Sequence, residues 1–238
     1  MSAADLPGEV RVLDDPAAVA TATAAWISER CARPGPFRLA ASGGSTPRSL
    51  YELLASSSFR RAVDWSRWHV FFADERAVPP DDENSNYRLL HDELLSRVPI
   101  AASQVHRMEA EGADLAGAAA DYSALLAAEA GEPPRLDVVL LGLGADGHTA
   151  SLFPETDALH VTDAWTTRGR APTVPHDRLT LTLPALNAAA DVAFLVTGAA
   201  KADALRGVIH GSVPAARVRP AAGGLTWFLD SAAADSLG

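Results

Sequence analysis

Short apolar runs and stretches of helical period alternate along this chain, and their order predicts the architecture. Phe37–Ala41 reads as a strand that ends in the turn Ser42-Gly43-Gly44-Ser45-Thr46. Pro47 follows where a first helical residue would sit, and Leu50, Tyr51, Leu53 and Leu54 continue at helical spacing. A second strand is predicted over 68–73 (WHVFFA), then a polar, proline-bearing loop over 74–85. The helix after that loop turns Tyr87, Leu90, Leu94 and Leu95 inward, and an alanine-rich helix is expected over 113–130. Residues 136–141 (LDVVLL) give the strongest strand signal and stop at Gly142. Further strands are expected at 179–183, 192–197 and 225–229, with a helix over 199–210 between the last two. Nearly continuous apolar strands separated by helices describe a parallel sheet covered on both faces. The expected fold class is therefore α/β: an open, mostly parallel, Rossmann-like sheet with helices on both faces, in a single domain over residues 1–238.

Such sheets bind ligands outside the carboxyl ends of their strands. Loops 42–46, 74–86, 142–151 and 197–201 all follow predicted strands and are rich in glycine, charge or hydroxyl groups. Charge narrows what they could bind. Twenty basic residues against thirty acidic ones leave a formal charge of −10, which argues against nucleic acid or an anionic membrane as partner. A small anionic ligand then needs cations gathered locally. The single cysteine, Cys31, excludes an internal disulfide and cysteine-based zinc sites. The first twelve residues lack the basic and apolar run of a signal peptide, and no apolar stretch reaches membrane-spanning length. A cytoplasmic protein is expected, and a monomer, because no long apolar stripe stands out.

Two glycine-rich turns carry the candidate chemistry. In Ser42-Gly43-Gly44-Ser45-Thr46-Pro47 the glycines let backbone approach an anion, the helix start offers N–H donors, and Ser45 and Thr46 add hydroxyls. The lysine of a Walker A loop is missing. A capped helix entrance without a ligand fits the same letters. The second turn, Gly142-Leu143-Gly144-Ala145-Asp146-Gly147, spells a dinucleotide fingerprint, but Asp146 would put charge where a pyrophosphate lies and Pro154 arrives before a helix is established. A turn that holds Asp146 beside His148 fits better, with the imidazole as general base and the carboxylate fixing its tautomer. The pH–rate profile should then fall on acidification through the histidine range. The other histidines, 69, 91, 106, 160, 176 and 210, lie in no comparable setting, and no paired spacing such as HExxH suggests a metal. Asp74-Glu75-Arg76 closes a predicted strand and aims Arg76 at the same edge, where it could hold an oxyanion. Arg178 and Lys201 are the remaining candidate cations for a phosphate. No G-x-S-x-G elbow is present, so a serine acyl-enzyme is not expected.

SGGSTP (42–47), DERAVPPDDENSNYRLL (74–90), LGLGADGHTASLFP (141–154), RLTLTLPALN (178–187) and FLVTGAAKADAL (194–205), with Trp227-Phe228-Leu229-Asp230, resemble the 6-phosphogluconolactonase family in order and spacing over about residues 37–230. The resemblance implies a sugar-phosphate isomerase-like fold and hydrolysis of 6-phospho-D-glucono-1,5-lactone to 6-phosphogluconate without metal or organic cofactor. It implies His148 as base, Asp146 as its partner and Arg76 facing the lactone carbonyl or ring hydroxyls. Gly43, Gly44, Ser45, Thr46, Asp74, Arg178 and Lys201 would bind substrate, with the phosphate on Gly44, Ser45, Thr46, Arg178 and Lys201. Glucosamine-6-phosphate deaminases share the fold, but this chain has Leu152-Phe153-Pro154 where they carry a glutamate after the loop histidine. A deaminase or isomerase, a non-catalytic sugar-phosphate sensor and a nicotinamide dehydrogenase are the rival readings. Residues 155–177 are poorly patterned and leave a mobile lid or a long connection open.

Overall fold

The computed structural model describes residues 1–235 and Leu237. Its strands are β1 (Glu9–Leu13), β2 (Phe37–Ala41), β3 (Trp68–Phe72), β4 (Asp74–Arg76), β5 (Val138–Leu141), β6 (Thr166–Arg170), β7 (Asp177–Leu181), β8 (Asp191–Val196) and β9 (Gly224–Asp230). The helices are α1 (Pro16–Cys31), α2 (Ser45–Leu54), α3 (Ser57–Ala62), α4 (Asn86–Glu93), α5 (Leu115–Ala130), α6 (Leu183–Ala188), α7 (Ala202–His210) and α8 (Ser231–Asp235). Six strands form a parallel sheet in the order β1-β9-β8-β5-β2-β3. The expected open parallel α/β fold is what the chain adopts. Among the described residues no helix is long and apolar enough to cross a membrane.

Every residue of β5 and β8 is buried, as a central strand covered on both faces requires. Around them the core holds Trp26, Trp68, Trp227, Tyr51, Phe71 and Phe194 at under 2% exposure. Phe194 and Trp227 stack across β8 and β9 with ring centres 4.0 Å apart. Burying rings of this size is worth roughly 1.5–3 kcal/mol each and anchors the sheet on which the loops stand.

A second, antiparallel sheet, β4-β7-β6, corrects three expectations. The run expected at 179–183 does not join the parallel sheet; Arg178-Leu179-Thr180-Leu181 alternates polar with apolar, the pattern of an antiparallel ribbon. Leu183 instead opens α6, capped by the Thr182 hydroxyl, which accepts from the Ala185 amide. Asp74–Arg76 is a strand rather than the start of a loop, with Arg76 paired in register with Arg178. Within 155–177, β6 pairs along β7 from Thr166 to Arg170, so this segment is in part the edge of the small sheet.

The N-terminal pair β1 and α1 was not predicted. α1 begins with Asp15, whose side chain accepts from the Ala18 amide, followed by Pro16 in the first turn. The helix expected at 199–210 is a 3₁₀ turn, Ala199–Lys201, that leads into α7.

Candidate active site

A cavity of about 300 Å³ opens at the carboxyl ends of β2, β5 and β8, beside β4. Gly43, Gly44, Ser45, Thr46, Asp74, Arg76, His148 and Lys201 all line it. Sequence positions more than 150 residues apart thus meet because three parallel strands end at one edge.

The wall after β2 has the groups that could seat an anion. Gly44 caps α2 at φ +113°, a conformation that glycine adopts freely. Ser45 and Thr46 supply the first helical amides, while Pro47 sits third rather than first and has no N–H to offer. Gly44 gives α2 no side-chain cap, so the positive end of the helix is left facing the cavity. Tyr51, fully buried, holds the turn from below: its hydroxyl donates to the Ser42 carbonyl at 2.6 Å and accepts from the Ser42 amide at 3.1 Å. The buried Ser42 hydroxyl has no partner among the described residues and also lines the cavity. Thr46 and Thr197 share a hydroxyl–hydroxyl bond of 2.9 Å that ties this turn to the loop after β8. Lys201, the chain's one lysine, reaches the same cavity from the 3₁₀ turn. It makes no ion pair with any described residue.

The loop after β5 brings a carboxylate and an imidazole together. Asp146 Oδ1 lies 2.5 Å from His148 Nδ1 and also accepts from the His148 amide at 3.1 Å. Partial burial pushes the Asp146 carboxyl up, but the imidazole and amide that donate to it outweigh this and leave it below the ordinary carboxylate range. With Nδ1 carrying the proton shared with Asp146, Nε2 keeps its lone pair. The imidazole packs on Phe153 with ring centres 4.2 Å apart. Gly144 is where the ring lies: a methyl added there would meet His148 Nδ1 at 2.0 Å and Asp146 Oδ1 at 2.6 Å. No helix follows this loop, which instead turns through Thr149–Leu152. Ala150, at φ +47°, makes that turn.

The small sheet contributes the third wall. Asp74, Arg76, Arg178 and Thr180 occupy one face, because register partners and alternate residues share a side. Ser151 donates its hydroxyl to Asp74 Oδ2 at 2.6 Å and its amide to Thr180 Oγ1 at 3.1 Å, which locks the histidine loop to the ribbon. The Asn86 amide group donates to Asp74 as well, and its Oδ1 presses on Gly43 so closely that a methyl there would sit 1.8 Å away. Arg76 gives one donor to the Asn84 carbonyl at 2.6 Å, while its buried Nε has no partner among the described residues. Arg178 stands beside it, buried, but does not line the cavity. Burial first, and the adjacent Arg76 charge second, lower the Arg178 guanidinium pKa. Glu75 points away from the site. Its carboxylate accepts from the Ser85 hydroxyl and the Asn86 and Tyr87 amides at the start of α4, and burial still holds its pKa above the ordinary range.

Sequence reading missed Ser42, Tyr51, Asn86, Ser151 and Thr197. Asn86 and Ser151 lie inside quoted motifs, but nothing in their spacing discloses that they bracket Asp74.

A family model described as glucosamine-6-phosphate isomerases/6-phosphogluconolactonase matches residues 14–227. A probable 6-phosphogluconolactonase 2 of Oryza sativa is 34% identical, over 96% of this chain and 90% of its own length. The chloroplastic 6-phosphogluconolactonase 3 of Arabidopsis thaliana is 37% identical over 90% of this chain and 70% of its own length. Among solved structures, the 6-phosphogluconolactonase of Trypanosoma brucei superposes with a TM-score of 0.85 at 29% identity, covering 98% of this chain and 100% of that one. A monomeric glucosamine-6-phosphate deaminase matches in fold, with a TM-score of 0.83 at 20% identity, over 97% of this chain and 100% of that one. Sequence and fold agree: the chain belongs to the glucosamine-6-phosphate isomerase/6-phosphogluconolactonase family.

Proposed function

We propose that the chain is a lactone hydrolase that converts 6-phospho-D-glucono-1,5-lactone to 6-phosphogluconate, with His148 as general base. The observation that carries the reading is that His148, held by Asp146, lines one cavity with the α2 N-terminus, which has no side-chain cap, and with Lys201, which makes no ion pair among the described residues. The start of α2, with Ser45, Thr46 and Lys201, receives the phosphate. This fixes the sugar at a distance from the reacting carbon, so binding energy remote from the chemistry orients the ring. Nε2 of His148 takes a proton from water as its oxygen bonds to C1, and Asp146 stabilises the imidazolium formed. Arg76 faces the oxygen that becomes negative. Collapse breaks the C1–ring oxygen bond, and the imidazolium returns its proton to the departing hydroxyl. Arg178 acts from behind Arg76, holding the local potential positive, rather than gripping the phosphate itself. Asp74 is held by Ser151 and Asn86, leaving it as a rigid acceptor for a sugar hydroxyl.

Base catalysis of this kind supplies roughly 10²–10⁴-fold. His148→Ala should therefore lose at least about two orders of magnitude in kcat on freshly prepared phosphogluconolactone, while still binding 6-phosphogluconate. Undiminished turnover would refute the base assignment. The absence of a carboxylate in Leu152-Phe153-Pro154 speaks against the deaminase alternative. Rapid ammonia release from glucosamine 6-phosphate would reinstate it. The same reading takes the enzyme to be cytoplasmic and monomeric, so light scattering should return the mass of one chain, 24.9 kDa.

A further inference from the structure

His69, His106 and Glu129 come from β3, the segment following the 3₁₀ turn Ala102–Gln104, and the last turn of α5, yet they meet in one cluster. His69 Nδ1 lies 3.2 Å from His106 Nε2 and 3.8 Å from Glu129 Oε2, and the three ligand atoms lie within 4.8 Å of one another. Two imidazole nitrogens bound to one tetrahedral ion at 2.0–2.1 Å stand about 3.3–3.4 Å apart. The observed separation is close to that. We propose that this trio is a binding site for a late first-row divalent cation, of the zinc, nickel or copper class.

The donor set selects the ion. Two imidazoles with one carboxylate suit these metals, whereas magnesium and calcium favour oxygen ligands throughout. The backbone around His106 is fixed: its amide donates to the Val70 carbonyl at 2.8 Å and its carbonyl accepts from the Tyr122 hydroxyl at 3.1 Å. Its ring stacks on Phe71 with centres 4.4 Å apart. The two imidazoles are nearly parallel, 9° apart, with centres separated by 5.5 Å, so they meet edge to edge through the facing nitrogens. A metal sits off that line toward Glu129, which asks each ring to turn by roughly 35–40° from the facing arrangement and the half-exposed carboxylate for a rotamer change. The fourth position is left to water on the open side.

One feature opposes binding. Arg38 is the register partner of His69, and its Nε donates to the Glu129 carbonyl at 2.6 Å, so a guanidinium charge lies alongside. The site therefore acts as a moderate staple of the sheet edge to α5 rather than as a zinc centre that the fold depends on. It stands apart from the lactone chemistry: His69 is near the amino end of β3, about 16 Å of extended strand from Asp74.

Titration of the intact protein with zinc and with nickel, followed calorimetrically, tests this. One equivalent should bind with Kd below about 0.1 mM, and Tm should rise by roughly 5–10 °C at one hundred times Kd. Magnesium should give neither. Binding should persist in His148→Asn and be lost in His106→Gln and in His69→Gln, with lactonase activity in the last two unchanged. Copper electron paramagnetic resonance on His148→Asn reads the site without removing any of its ligands and should show two coordinated nitrogens. No saturable binding, binding that survives both histidine substitutions, or a copper spectrum without nitrogen couplings would overturn the assignment.

Discussion

Gly144→Ala is the sharpest probe of the proposed catalytic pair, because it changes neither of its members. The backbone at Gly144 is not in the left-handed region, so alanine is tolerated by the chain itself; only what lies over it objects. The added methyl would stand 2.0 Å from His148 Nδ1, 2.2 Å from its Cε1 and 2.6 Å from Asp146 Oδ1. Restoring van der Waals distance drives the imidazole back by at least about 1 Å, a displacement that can lower catalysis about 10²-fold, or about 2.7 kcal/mol of barrier. The proposed phosphate site is built on α2 and the loop after β8, and the substitution leaves these elements alone. Initial rates of proton release from fresh phosphogluconolactone, corrected for spontaneous hydrolysis, should show kcat reduced about a hundredfold. The Kd for 6-phosphogluconate, measured by calorimetry, should stay within about threefold. A folded Gly144→Ala protein with kcat within threefold of wild type would show that the position of this pair does not govern the reaction.

Lys201→Ala removes a charge-assisted contact worth about 1.5–3 kcal/mol, so KM for the phosphorylated lactone should rise about 10–100-fold while unphosphorylated gluconolactone is turned over as before. Since Lys201 is the sole lysine, reductive methylation read by mass spectrometry reports on it directly, and 6-phosphogluconate should protect it. Tyr51→Phe leaves the buried Ser42 amide and carbonyl without the hydroxyl that serves both; urea unfolding should show a loss of about 1–3 kcal/mol. Glu75 binds a proton more readily folded than unfolded, because burial raises its pKa. Its contribution is then greatest at or below the ordinary carboxylate range and is lost as pH rises through the raised value. Urea midpoints should accordingly shift in favour of wild type over Glu75→Gln as pH is lowered from about 7.5 to about 5.

What could be read in advance divides along physical lines. β2, β5 and β8 announce themselves because a central parallel strand must be apolar on both faces, and the loops after them were legible for the same reason. β1 sits at the sheet edge with every residue at least partly exposed, and Glu9-Val10-Arg11-Val12-Leu13 carries correspondingly little apolar signal. α1 is built on alanine and threonine, whose small side chains blur a helical stripe, although Asp15 and Pro16 mark its start. β4 has three residues and no apolar pattern; only its pairing with β7 makes it a strand. In the site, His148 and Asp146 are near neighbours in sequence and could be paired by inspection. The bracketing of Asp74 by Asn86 and Ser151 spans 77 residues and exists only once the ribbon has folded against the loop. The joining of His69, His106 and Glu129 is of the same kind.

The cavity draws its walls from two sheets that share no ladder, and this separates two tasks. The residues proposed to hold the charged tail stand at the parallel sheet, whereas Asp74 and Arg76, proposed to face the sugar, ride on a three-stranded ribbon attached beside it. Exchange of that ribbon between relatives would alter which ring is admitted and leave the anchoring of its tail intact. Diversification of substrate could thus proceed through one small appendage while the scaffold beneath stayed unchanged.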